Sequence, residues 1–146
     1  MVNPFDPRAI LLAKHAQHVV LVHFPIALFL TGVVFDLVAR FTKSAAFATA
    51  AYFNIIGAAV TVVPVLATGI VAWQWQLAGQ RLKGTLLLHL VLGCLSGVLI
   101  CAVAIVRLRS RASSQLPPVS LPLQLTTASV IALTAHLGGF LSGVMG

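Results

Sequence analysis

The sequence predicts an all-α integral membrane protein, an up-down-up-down four-helix bundle with a short N-terminal interfacial helix, and three observations predict it. Of 146 residues, 60% are hydrophobic and only 8% charged. The mean hydropathy is +1.06, more apolar surface than a soluble domain of this length can hide from water. Four apolar segments, about 18-40, 47-75, 84-107 and 120-144, each reach the roughly 20 residues needed to cross a ~30 Å hydrocarbon layer. Only short tails and connections remain, so residues 1-146 read as a single membrane domain.

The elements follow in order. In "DPRAILLAKHAQ", Asp6 suits an N-cap and Pro7 the first helical position, so a short interfacial helix leads into the first span. That span is too long for a cleaved signal peptide and lacks a clear small-residue cleavage site, so it is expected to be retained. Span two carries Pro64 near its middle and ends on Trp73 and Trp75, an aromatic belt. Span three carries Cys94 and Cys101, about 10 Å apart along the helix axis, too far for a mutual disulfide. These cysteines read as small packing residues.

Nine Lys and Arg stand against two acids, Asp6 and Asp36, for a formal charge of +7. The basic residues flank helix ends, where they anchor helices and set orientation, so nucleic acid is not the expected partner. Asp36 stands four residues before Arg40 in the order that favours a local ion pair. No serine or cysteine is partnered with a histidine and a carboxylate, no phosphate-cradling glycine loop is present, and no CxxCH attaches a c-type haem. The chain therefore reads as a carrier or subunit rather than an enzyme acting alone.

Alternating spans place all five histidines at one membrane face: His15 and His18 at the entrance of span one, His23 one turn deeper, His89 in span three and His136 in span four. Arg8, Lys14, Arg81 and Lys83 share that face, while Arg40, Lys43, Arg107, Arg109 and Arg111 lie opposite. The compact "RLRSR" run suggests a cytoplasmic far side, which puts the histidines on the periplasmic face of a bacterial inner membrane.

Ionisable groups inside a membrane are costly, so three at similar depth on three helices ask for a shared explanation. Helical phase puts Gly93, Ser96 and Ile100 on one stripe with His89. Ser129, Ala132, Gly139 and Gly143 share a stripe with His136, and Ala27, Leu30 and Thr31 share one with His23. Small residues beside an imidazole leave room for a flat guest, although small lanes also serve plain helix packing. The carboxylate and thiolate ligands common at zinc or non-haem iron sites lie at other depths. Two neutral imidazoles from opposed helices suit haem b instead, with His23 and His89 as candidate iron ligands. Helices one and three are diagonal, about 11 to 14 Å apart, so small residues and bending at Pro25 and Pro64 would have to make the space. His136 is a third candidate and His18 a weaker one. Arg81 and Lys83 are placed to pair with haem propionates or to act as interfacial anchors.

"HVVLVHFPIAL" resembles the signature of the membrane family known as domain of unknown function 2231, whose members begin a first span with His-Pro-x-x-Val-His-Phe-Pro-Ile and carry another histidine early in span three. His18, His23, Phe24, Pro25 and Ile26 match, and His89 takes the span-three place. "AHLGGFLSG" resembles the His-x-Gly-Gly-x-Leu element of relatives in which this domain accompanies cytochrome c modules, carrying over His136, Gly138, Gly139 and Leu141. Val19 replaces the usual proline, and the last motif lacks a further histidine; these departures bear on His18 as a ligand and on any second haem. The resemblance covers most of the chain and implies a small four-helix domain suspected of haem binding and electron transfer. There is also an internal echo: His23 precedes "TG" at 31 and 32, and His89 precedes "SG" at 96 and 97.

The expectation is thus a membrane electron carrier with haem b near the outer face, exchanging electrons with a quinol or a periplasmic cytochrome, alone or within an oligomer or larger membrane complex. The alternative is a non-redox membrane module, either an assembly subunit or a small proton or metal-ion transporter.

Overall fold

The computed structural model describes residues 14–76, 79, 81–110 and 117–142, excluding the side chains of 14–16 and 76. The beginning of the expected interfacial helix at Asp6 and Pro7, along with Arg8, Arg111 and Gly143, lies outside these residues. Five helices follow: α1 (Lys14–Leu21), α2 (His23–Thr42), α3 (Ala45–Gln76), α4 (Gly84–Ser110) and α5 (Ser120–Leu141). Helix accounts for 91% of the described residues, and no strand occurs among them. Four stretches are long and apolar enough to cross a membrane: Gln17–Thr42, Ala45–Trp75, Gly84–Ser110 and Ser120–Leu141. All four spans read from the sequence are therefore present, with ends shifted by up to three residues.

The first stretch is broken at Val22, and Pro25 explains why. A proline ring crowds the carbonyl four residues back, here Leu21, where α1 ends. Pro25 is also the third residue of α2, where a backbone N–H has no intrahelical acceptor and its loss costs little. The Val22 N–H still reaches His18 O at 3.0 Å, so the break is a bend rather than a gap. Pro64 lies inside α3 and withdraws one donor from Val60 O. At the far end of α2, Lys43 adopts a left-handed conformation (φ 56°) and stops the helix.

Helices α2 and α3 form one tightly packed hairpin and α4 and α5 a second; α3 against α4 joins them, and a thinner contact between α2 and α5 closes the bundle. Helices α2 and α4 are therefore diagonal. The core gathers Phe29 and Val33 from α2, Ile55, Ala58 and Val62 from α3, Ile100, Val103 and Ala104 from α4, and Ile131 from α5. Most other large apolar side chains are exposed, among them Phe53, Val60, Val98 and Leu133. In a bilayer that exterior is solvated by acyl chains.

Close approach rests on two glycines. A Cβ at Gly32 would lie 2.9 Å from Ile55 Cγ1 and 3.3 Å from Asn54 Cβ, and one at Gly97 would lie 2.9 Å from Leu66 Cδ1. The atom opposing Gly97 is a movable side-chain tip, whereas those opposing Gly32 are held near the α3 backbone. Gly32→Ala is accordingly expected to cost about 1–3 kcal/mol, the usual range for overpacking, read as a lower thermal midpoint in detergent with helical content unchanged.

Candidate functional site

Three of the histidines make hydrogen bonds through Nδ1. His18 Nδ1 lies 3.2 Å from Thr68 Oγ1. That hydroxyl already faces the Pro64 and Val65 carbonyls at 2.9 and 3.0 Å, so its single proton is committed and it accepts from His18. The half-buried ring rests on α3, where a Cβ at Gly69 would come within 3.0 Å of His18 Cε1. On the second hairpin, His89 Nδ1–H donates to Thr134 O at 3.1 Å, and its ring covers Gly138, where a Cβ would stand 3.1 Å from Cε1. Thr134 Oγ1 donates to Val130 O and lies 3.1 Å from Ser96 Oγ, so Ser96 donates to it. Near the histidine face, an imidazole on α1 therefore rests on a glycine of α3, and an imidazole on α4 rests on a glycine of α5.

His23 opens α2 with an exposed ring whose Nδ1–H donates to Val19 O at 2.7 Å. A carbonyl can only accept, so these contacts assign the proton of neutral His23 and His89 to Nδ1 and leave the Nε2 lone pair. His136 is exposed and meets Phe140 edge-on, with ring centroids 5.1 Å apart. Arg81 and Lys83 are exposed in the connection between α3 and α4.

Of the three lanes read from helical phase, the one below His89 faces inward: Gly93 is half-buried, and Ser96, Gly97 and Ile100 are buried. The lane of His23, through Ala27, Leu30 and Thr31, is exposed, as are Ser129 and Ala132 beside His136. Helical phase tells which residues share a face, but which face turns inward depends on all four helices. Among the described residues, no three His, Cys, Asp or Glu side chains form a metal-holding group. An open groove of about 480 Å³ between α3 and α4 is lined by Val62, Leu66, Cys94, Gly97, Cys101 and Ile105 among others, and contains no histidine.

The opposite end holds a polar cluster that the sequence reading missed. Asp36 is 2% exposed; its Oδ2 accepts from Arg40 Nε at 3.3 Å and from Gln124 Nε2 at 3.1 Å. The ion pair expected within α2 is thus present, but Asp36 Oδ1 also lies 2.5 Å from Arg107 Nη2, an ion pair by distance with angles that do not complete a hydrogen bond. Arg40 Nη2 donates to Ser120 Oγ at 2.8 Å. One carboxylate therefore ties α2 to α4 across the diagonal and, through Gln124, to α5. A signal was present: the inward stripe from His89 through Ser96 and Ile100 continues to Arg107, and Gln124 interrupts an apolar run.

These features define a class, a four-span helical membrane protein with imidazoles at one end and a buried ion pair at the other. The chain belongs to the family described as "Predicted membrane protein (DUF2231)", whose model matches residues 14–146. No curated protein and no solved structure matches the chain.

Proposed function

We propose that the protein is a b-type haem-binding electron carrier, in which His89 and His23 would hold the haem iron through their Nε2 atoms. The observation that carries this reading is the anchoring of His89: Nδ1–H is fixed on Thr134 O, which leaves Nε2 as the basic nitrogen, the arrangement that orients metal-binding imidazoles. His23 has the same polarity through Val19 O, and its exposed ring keeps Nε2 accessible at the margin of the bundle. Two neutral imidazoles of this polarity are the kind of donor that haem iron takes, and haem, when bound, would supply a one-electron couple. Gly138 gives the His89 ring its space, and His136 is the third candidate ligand. Arg81 and Lys83, exposed at the same end, are suited to the propionates, and His18 braces α1 against α3. We assign this end to the periplasmic face of a bacterial inner membrane, with a quinol or a periplasmic cytochrome as redox partner.

A second reading, a non-redox module acting as an assembly subunit or a small proton or metal-ion transporter, draws support from the same contacts, because His18 and His89 join helices whatever else they do. The visible spectrum and metal content of protein produced with haem supplied separate the two. The carrier is expected to show a Soret band that shifts on reduction. Zinc or copper without that band, or a folded bundle that stays colourless after haem reconstitution, would replace it with the module.

A further inference from the structure

We infer that the cluster at the far end binds the phosphate oxyanion of an anionic lipid headgroup. Two guanidiniums, Arg40 and Arg107, share the single carboxylate of Asp36, both of whose oxygens are already engaged. One positive charge is left over in a setting where Arg107 is only 5% exposed, and burial raises the cost of an unbalanced cation. Arg107 Nε has no acceptor and Gln124 Oε1, on a fully buried residue, has no donor. The cluster thus calls for a ligand that brings an oxyanion and a hydroxyl together.

Depth and access select the source. Arg40 stands two residues before the end of α2, Arg107 three before the end of α4, and Ser120 opens α5. All lie within about one helical turn of the helix ends, at headgroup level. Lys43 and Arg109 are exposed at the same end and widen the positive field. The Arg40 side chain is 35% exposed against 3% for Asp36, so Arg40 is the outer member that meets a headgroup. Phosphatidylglycerol carries a net negative phosphate together with hydroxyls. Phosphatidylcholine carries a phosphate whose charge is cancelled by its own ammonium.

The test is retention of lipid by the full-length protein in native mass spectrometry, with phosphatidylglycerol, phosphatidylcholine and inorganic phosphate as probes. Phosphatidylglycerol is expected to be held preferentially. Lys43→Gln, at an exposed site outside the ion pairs, is expected to weaken it about fivefold, and Arg40→Gln by at least as much. Equal retention of the two lipids would overturn the inference, as would phosphatidylglycerol binding unchanged in both variants. Displacement of the lipid by millimolar inorganic phosphate would assign the site to a free oxyanion and overturn the lipid source.

Discussion

Asp36→Asn is expected to be the most destabilising conservative change in the protein, costing about 3–5 kcal/mol, the range for breaking a buried ion pair by neutralising one partner. The substitution keeps the volume of the side chain but leaves Arg107, 5% exposed, facing a neutral amide. Arg107→Met should cost less, because Asp36 keeps Arg40 and Gln124 as donors. The double variant Asp36→Leu with Arg107→Met should recover much of the loss, since no buried charge then lacks a partner. Equilibrium unfolding in mixed micelles measures all three. A double variant as unstable as Asp36→Asn would show that the pair is not what joins α2 to α4.

The second large effect falls on the opposite end. Under the proposed haem-binding function, His89→Ala should abolish or visibly alter the haem spectrum, because one of the two imidazoles that would hold the iron is removed. Gly138→Ala separates ligation from packing. The new Cβ would stand 3.1 Å from His89 Cε1, so the ring must move while the imidazole remains. A shift of that kind in the support of a ligand typically weakens metal binding about 10–100-fold, read here by haem titration. If His89→Ala lowered the thermal midpoint yet left haem uptake and spectrum unchanged, His89 would be a hairpin stitch only.

The spans were legible because length and hydropathy are local properties, and the break at Val22 was legible because Pro25 acts on the carbonyl four residues behind it. The ion pair within α2 was legible too, since Asp36 and Arg40 lie one turn apart. Arg107 was not. Its place in "RLRSR" suggested an orientation signal, and only the packing of α4 across from α2 turns it onto Asp36. The imidazole lanes divide for the same reason: that of His89 turns inward, whereas Ala27, Leu30 and Thr31 beside His23 and Ser129 and Ala132 beside His136 are exposed, a direction set by which neighbours cover α2 and α5. Thr68 and Thr134 could not be found from sequence, because their contacts to His18 and His89 lie 50 and 45 residues away.

The length of α3 has a consequence for the surrounding lipid. Its 32 residues extend about 48 Å, and even a strong tilt of about 40° leaves roughly 37 Å along the membrane normal against a ~30 Å acyl layer. Annular lipids must stretch to meet it or the helix must protrude, and Trp73 and Trp75, in its last turn, belong at a water boundary. That hydrophobic mismatch favours thicker bilayers. It also makes the end of α3 a ledge above the acyl chains, about two turns beyond the Thr68 and Gly69 positions on which His18 rests.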